Sequence, residues 1–297
     1  MAHALRDCND QSARTYAVQT RRADAVWRLA SPCGPAAERS VRMGLPSMTP
    51  GKTLVILQSN YIPWKGYFDL MAAADEFVIY DEVQFTKNDW RNRNRIVLNG
   101  KLHWLTISVK TAGLFGQPID RIEISDKSWA RGHWDSIRQA YRNSEHFHQI
   151  SAVLADAYQE AASLRRLTDI NELFLRRIAD ILELPAQIFR AEIVPRASED
   201  PTERLIELCR ARNATKYLSG PAARSYIRAD LFANAGIALH YADYSGYPTY
   251  SQAMDPFEHG VSILDVLFHC GAASARAQLK SISSPGGLQA LDYTNRS

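Results

Sequence analysis

The sequence predicts an α/β protein built on a parallel sheet, and two observations carry this prediction. Residues 52–58 and 76–80 are short runs of branched and aromatic residues, which are typical of buried strands. Residues 66–74 lie between them and have the spacing of a helix. A strand, a helix and a second strand in this order form a crossover unit, which places the connecting loops at the carboxyl ends of parallel strands.

The remaining elements extend this core by a hairpin and a group of helices. Residues 95–98 and 103–109 alternate around Asn99-Gly100, which is the strongest short-range hairpin signal in the chain. Helical spacing is expected over 128–143, 150–164 and 169–182, within a helical segment at about 128–184. Further strands are expected at 187–190, 216–219 and 237–241, and further helices at 202–212, 222–234 and 262–269, the last ending before Gly271.

The two ends of the chain differ from its body in composition. Residues 1–47 contain seven arginines, no lysine and four acids, so the formal excess of +3 lies there and the rest is neutral. A mitochondrial transit peptide would be poor in acids. We therefore predict a disordered extension over 1–47, or a true start at Met48, followed by one domain over 48–281 and a flexible tail over 282–297.

Composition also excludes several classes of function. A neutral body argues against broad nucleic-acid binding, which depends on the release of counterions by positive charge. No apolar stretch approaches the roughly 18 residues of a membrane span. The four cysteines are scattered without a C-x-x-C pair, which predicts neither a zinc site nor a disulfide framework and favours the reducing cytoplasm.

The loop at residues 58–68 is the first candidate site. It follows a buried strand and opens a helix at Gly66, so free backbone N–H groups and the Lys65 charge would attract an anion. Gly66 would allow a ligand to approach the backbone closely. The aromatic residues Tyr61, Trp64 and Tyr67 either contact the ligand or pack in the core. The residues predicted here are Gln58, Asn60, Tyr61, Trp64, Lys65, Gly66 and Tyr67.

The second candidate site is the polar stretch at residues 81–95. An extended segment would place Arg91, Arg93 and Arg95 on one face and the intervening asparagines on the other. Guanidinium groups on one edge suit the recognition of phosphate or carboxylate. The alternative is a solvated hairpin strand whose arginines pair with neighbouring acids. The residues predicted here are Asp81, Gln84, Lys87, Arg91, Asn92, Arg93, Asn94 and Arg95.

A third candidate is the pair Ser219-Gly220, which ends a predicted strand before a helix. It forms either an anion cradle or a simple helix cap. His146 and His148 have a spacing that suits metal binding, but no third ligand lies near them in the sequence, so we predict no tightly bound metal.

These motifs together resemble the WbqC-like family. The resemblance rests on residues 58–68 and 81–95, on Tyr217-Leu-Ser-Gly220, on residues 247–252 and on residues 262–268, and it spans about residues 52–272. It implies a role in bacterial surface-polysaccharide or O-antigen biosynthesis. A weaker resemblance, to pantothenate synthetases and other nucleotidylyltransferases, implies a HUP or Rossmann-like core. The H-x-G-H signature of those enzymes would fall at residues 64–67, where only Gly66 is kept.

The leading hypothesis is a transferase that activates a small carboxylate with ATP and Mg²⁺ and passes the acyl group to a nucleotide-linked amino sugar. Lys65, Asp81 and Arg91 would be catalytic: the two cations would stabilise the phosphates, and Asp81 would bind Mg²⁺ or the amine. The rival hypotheses are a non-catalytic sugar-nucleotide binding or scaffolding protein of the same pathway and, less favoured by charge, a nucleic-acid enzyme.

Overall fold

The computed structural model describes residues 51–113 and 115–283. The predictions for residues 1–47 lie outside these ranges, and so does the predicted tail from residue 284 onward. Residues 282 and 283 end the last helix, Lys280–Ser283.

A parallel sheet of five strands forms the centre of the fold, as predicted. In chain order its strands are β1 (Thr53–Leu57), β2 (Glu76–Ile79), β5 (Gln187–Arg190), β6 (Lys216–Ser219) and β7 (Ala238–Tyr241). Their order across the sheet is β5-β2-β1-β6-β7, and every neighbouring pair is parallel. The direction of chain progression therefore reverses between β1 and β6. In open α/β sheets, ligands bind outside the carboxyl ends of the strands at such a reversal.

A separate hairpin joins β3 (Arg93–Leu98) to β4 (Lys101–Thr106). Asn99 and Gly100 both have positive φ, at 52° and 72°, as a type I′ turn requires. The turn fixes the register, in which Arg95 pairs with Trp104.

Helices cover the sheet on both faces. Alternate residues of a strand point to opposite faces of the sheet, so each strand contributes to two cores. Val55 and Phe77 belong to the larger core, and Leu54 and Val78 belong to the smaller one. The larger core includes the predicted helical segment. The helices are α1 (Lys65–Ala72), α2 (Trp129–Tyr141), α3 (Phe147–Ala161), α4 (Leu167–Ile181), α5 (Pro201–Ala211), α6 (Ala229–Asn234), α7 (Leu264–Ala277) and α8 (Lys280–Ser283).

One predicted helix differs from the structure, and another is interrupted at the residue where it was expected to end. The helix expected over 222–234 is only α6, preceded by a 3₁₀ turn at Pro221–Ser225. The backbone N–H of Arg228 donates to Thr202 Oγ1 of α5, which interrupts the helical pattern. The last predicted helix is interrupted at Gly271, as expected: α7 consists of two helical parts that meet at a kink there, where φ is 75° and ψ is 169°, outside the helical region. A Cβ at this position would lie 2.8 Å from the His146 ring, so the close packing needs glycine.

Within residues 51–113 and 115–283, none of the helices has the length and apolar character that crossing a membrane requires.

Candidate functional site

A cavity of about 290 Å³ lies where the loops after β1 and β2 meet the hairpin. The structure thus brings the first two predicted segments together. The loop after β1 contributes Asn60, Pro63 and Trp64, and the loop after β2 contributes Trp90. Asn94 of β3 and Gly260 complete the lining. The lining combines two indole rings with two carboxamides, a mixture that suits a ligand with both flat apolar and polar parts.

Asn94 holds the first loop in place. Its Nδ2 donates to the carbonyl oxygens of Tyr61 (3.1 Å) and Ile62 (2.8 Å). Ile62 has a φ of 41°, which is strained for a β-branched residue and is retained only where the surroundings enforce it. The Tyr61 N–H also donates to the Trp90 carbonyl at 3.0 Å, so the two loops are fixed to each other beside the cavity.

Asp81 is a second link between elements, and it lies beneath the loops. It is buried and accepts hydrogen bonds from Ser59 N–H (2.8 Å), Ser59 Oγ (2.6 Å) and Thr168 Oγ1 (2.5 Å). Burial raises the pKa of Asp81 and these hydrogen bonds oppose the rise. Both carboxylate oxygens are therefore occupied. The structure places Asp81 as a positioning residue, in contrast to the predicted ligand for Mg²⁺ or an amine.

The arginine edge has the predicted alternation. Arg93 and Arg95 are half-buried on one face, whereas Asn92 and Asn94 are buried on the other. The Nη2 atom of Arg95 donates to the Gly260 carbonyl at 2.9 Å, beside the cavity. The Nε atoms of Arg93 and Arg95 are buried without a hydrogen-bond partner in the described part of the chain. Buried donors of this kind require an explanation, and a bound anion supplies one.

Arg91 precedes β3 and behaves differently from its neighbours. Its Nη1 lies 2.5 Å from Asp89 Oδ2, in a partly buried ion pair. This ion pair agrees with the alternative interpretation, in which the arginines pair with neighbouring acids. The predicted catalytic role of Arg91 stays a prediction, since a ligand would have to compete with Asp89.

Two tryptophans extend the cavity outward, and sequence reasoning missed their role. The rings of Trp90 and Trp104 lie 5.7 Å apart at an interplanar angle of 31°, and the residues are 41% and 42% exposed. The guanidinium carbon of Arg93 lies 4.3 Å from the Trp104 ring centroid. The position of Trp104 could have been predicted from the sequence, because a two-residue turn at Asn99-Gly100 places Trp104 opposite Arg95.

Lys65 does not line the cavity, in contrast to its predicted position. Only 4% exposed, it donates from Nζ to the Pro248 carbonyl at 3.0 Å. The rings of Tyr247, Tyr250 and Phe257 surround Nζ, with centroids at 5.2, 5.5 and 5.6 Å. Burial lowers the pKa of Lys65 to about 8. The sequence could not show this, because the rings come from a loop more than 180 residues away.

Gly66 serves packing, and the approach of a ligand to its backbone stays a prediction. A Cβ there would lie 2.3 Å from the Trp64 ring. Trp64 in turn makes edge contacts with Tyr244 and Tyr247, at centroid distances of 5.0 and 5.7 Å. Gly66 thus allows Trp64 to take the position in which it lines the cavity.

Tyr61 and Tyr67 belong to the core, which is the alternative that the sequence left open. Tyr61 is fully buried, and its hydroxyl lies 2.9 Å from His133 Nδ1 and 2.6 Å from Tyr158 Oη. The Tyr67 hydroxyl donates to the Gln58 carbonyl at 3.0 Å. Burial raises the pKa of both phenols, so both stay protonated and hold the loop from below.

The other predicted residues lie near the cavity loops without lining the cavity. Gln84 and Lys87 are exposed, and Gln58 is half-buried. The buried Asn92 donates to the Ile107 carbonyl. Ser219 is also buried, and a Cβ on Gly220 would lie 3.3 Å from the Tyr244 hydroxyl, so this third segment packs one layer behind Trp64. Among residues 51–113 and 115–283 there is no group of three metal-binding side chains, and His146 instead packs against Gly271.

Comparisons with known proteins agree with the resemblance seen in the motifs. The model of the WbqC-like protein family matches residues 58–277, which include both cavity loops and α7. The uncharacterized protein Rv1507c of Mycobacterium tuberculosis (strain ATCC 25618 / H37Rv) is 42% identical over 221 residues, which cover 74% of this chain and 95% of that protein. No solved structure matches significantly. The chain belongs to the WbqC-like protein family.

Proposed function

We propose that this protein binds a nucleotide or nucleotide-linked sugar at the cavity and acts there as a transferase of surface-polysaccharide biosynthesis. One observation carries the proposal: the two strand-end loops converge at a cavity whose arginine edge has buried, unpartnered Nε donors. The first of these loops follows β1, one of the two strands between which the strand order reverses, and α/β sheets bind such ligands at a reversal of this kind.

The phosphates would bind at Arg93 and Arg95, because a guanidinium offers several donors in a fixed plane to a phosphate. The carboxamide of Asn60 would orient the group that enters the cavity. Asn60 is suited to this, since its Oδ1 is buried without a partner, whereas Asn94 already holds the first loop.

In the proposed reaction, the carboxylate of an acyl or aminoacyl donor attacks the α-phosphate of ATP to form an acyl adenylate and release pyrophosphate. The amine of a nucleotide-linked amino sugar then attacks the acyl carbon, forming an amide and releasing AMP and a proton. The chain's own residues would contribute binding, orientation and positive charge beside the phosphates. Lys65 would contribute only at longer range, since its ammonium group is enclosed by aromatic rings.

The residues of the site do not fit a Mg²⁺ ion. Asp81 Oδ1 accepts a hydrogen bond from the Ser59 N–H, and Oδ2 accepts from Ser59 Oγ and Thr168 Oγ1. Asp89 pairs with Arg91. Mg²⁺ is usually held by one or two carboxylates together with substrate phosphates. The proposal therefore routes no step through a metal ion.

Binding is tested by calorimetry with ATP, ADP, UDP and pyrophosphate on wild type, Arg95→Ala and a control, Arg131→Ala. Arg131 lies on α2 with a fully solvated side chain, so its loss removes the same charge elsewhere. We expect affinity to fall about tenfold or more in Arg95→Ala only, because a charge-assisted hydrogen bond is lost. Equal affinities in all three proteins contradict the proposed site.

The acyl-transfer step needs its own test. ATP–pyrophosphate exchange across a panel of amino acids should give a signal with the wild type and a weaker one with Arg95→Ala. Exchange with none of them, in a protein that binds ATP, contradicts activation through an adenylate.

A second candidate is binding without catalysis, and one observation favours it. In the described part of the chain, the six residues that line the cavity carry no titratable side chain to act as an acid, base or nucleophile. Incubation with ATP, glycine and an amino-sugar nucleotide, followed by mass spectrometry, separates the two: an acylated product supports the transferase, and unchanged mass supports a binding protein.

A further inference from the structure

The exposed pair of Trp90 and Trp104 is not explained by the packing of the hairpin. The two residues come from different segments, the loop before β3 and the middle of β4, and they meet because the register brings Trp104 opposite Arg95. Large exposed aromatic side chains mark binding surfaces more often than structural ones when they occur together. We call Trp90 and Trp104 the indole pair.

Charge surrounds the indole pair on the side toward the cavity. The guanidinium carbon of Arg95 lies 5.5 Å from the Trp90 centroid and 5.6 Å from that of Trp104, and Arg93 stacks on Trp104. The nearest acids are partly engaged: Asp89 pairs with Arg91, and Glu258 lies 3.8 Å from Arg95. The surface thus combines flat π faces with cations.

Continuity with the cavity limits what this surface can bind. Trp90 lines the cavity and also belongs to the indole pair, so one ligand can extend from one to the other. The polar atoms along that path change from the asparagine carboxamide at the cavity to the arginine Nε donors beside the rings. A ligand that matches this order of polar atoms has a polar group, then phosphates, then a planar ring.

We propose that the indole pair is the nucleobase subsite, on which the base of a nucleoside diphosphate or diphosphate-linked sugar stacks while its phosphates bind Arg93 and Arg95. The inference rests on the proposed function, and it adds which residues recognise the base. A neutral hexose could also pack on an indole ring, but it would leave the two arginines without an anion. Stacking tolerates different bases because each has a π face, so the subsite favours nucleotides over pyrophosphate more than one base over another.

The test is the ratio of affinities for ADP or UDP and for inorganic pyrophosphate, measured by calorimetry. In the wild type we expect this ratio to be about tenfold or more, the usual contribution of stacking one base. Trp104→Ala should bring the ratio close to one, whereas Trp104→Phe should keep most of it. Phe115→Ala is the control, because Phe115 is a fully exposed aromatic residue that does not line the cavity.

The ratio of nucleotide to pyrophosphate affinity distinguishes a loss of base stacking from a loss of phosphate binding. Loss of Trp104 also removes the ring on which Arg93 stacks, but a weaker phosphate site lowers both affinities together and leaves the ratio unchanged. A wild type that binds pyrophosphate and nucleotides equally, or an unchanged ratio in Trp104→Ala, overturns the subsite alone. A wild type that binds neither overturns the proposed function as well.

Discussion

The polar atoms of the cavity and the two buried acids behind it differ in whether they have hydrogen-bond partners. At the cavity, Asn60 Oδ1 and the Nε atoms of Arg93 and Arg95 are buried without partners. Behind it, residues 242–263, which we call the late loop, pack over α1 and α7 around two acids that are satisfied. Asp265 accepts from Tyr141, Tyr250 and Gln252.

The second acid, Asp69, is equally well satisfied. It accepts hydrogen bonds from the Tyr247 hydroxyl, from the backbone N–H groups of Lys280 and Ser281, and from Ser281 Oγ. It thereby joins α1 to the late loop and to α8. A fully satisfied buried network makes a region rigid, whereas unpaired polar atoms have a cost that a ligand can remove. The contrast supports the cavity as the proposed site and gives the two acids a structural role.

Removal of an acid around which the late loop packs should have the largest effect on stability. In Asp265→Ala the hydroxyls of Tyr141 and Tyr250 and the Gln252 amide lose their acceptor, so we expect a loss of about 3–5 kcal/mol in the free energy of unfolding by urea. Tyr141→Phe is the milder comparison, with an expected loss of about 1 kcal/mol for one hydrogen bond. A loss below 1 kcal/mol in Asp265→Ala would show that this network does not stabilise the fold.

The free energy of unfolding should also depend on pH, through a histidine in the core on the other side of the first loop. Burial lowers the pKa of His133 to about 4, and its neutral ring bonds to Tyr61 and to the Thr106 carbonyl. Because the unfolded histidine takes up a proton near pH 6.5 and the folded one does not, stability falls as pH falls from about 6.5 to about 4. The total is on the order of 3 kcal/mol.

Urea unfolding of the wild type and of His133→Gln between pH 7 and pH 5 measures this contribution. The substitution removes the titrating group, so the difference in stability between the two proteins should shrink on acidification. A difference that does not change with pH would mean that His133 is protonated to the same extent in both states.

A substitution at Gly66 tests the packing of Trp64, the residue that lines the cavity and also contacts the late loop. In Gly66→Ala the new Cβ would lie within 2.3 Å of the Trp64 ring, which must move, so we expect a loss of about 1–3 kcal/mol and weaker nucleotide binding. Gly132→Ala on α2 is the matched control, because nothing lies within 4 Å of its Cβ; there we expect a gain of about 0.5–1 kcal/mol. Equal effects of the two substitutions would rule out the packing role of Gly66.

The smallest effect on stability is expected at the cavity itself. Asn60→Ala removes an unpartnered oxygen, so the free energy of unfolding should change by less than about 0.5 kcal/mol while nucleotide affinity falls several-fold. Asn94→Ala removes two hydrogen bonds to the first loop and should cost about 2 kcal/mol. If Asn60→Ala destabilises as much as Asn94→Ala, the two regions do not differ as described.

Much of the fold and part of the site could be predicted from local patterns. Strand β5 was expected at its observed bounds, and the Asn99-Gly100 turn defined the hairpin. The alternation that separates Arg93 and Arg95 from Asn92 and Asn94 follows from the pleat of a strand. Helix bounds were less predictable: the helix expected over 222–234 is only α6, because a 3₁₀ turn at Pro221–Ser225 precedes it.

The sequence by itself determined which residues are extended, which turn and which polar groups lie at strand ends, because these depend on neighbours along the chain. Only the tertiary structure decided where the long and charged side chains point. The ammonium group of Lys65 lies among aromatic rings of the late loop, and Asp81 accepts hydrogen bonds from Ser59 and Thr168 of two other elements. The physical reason is that a buried charge takes the environment that best replaces its water, and that environment comes from distant parts of the chain.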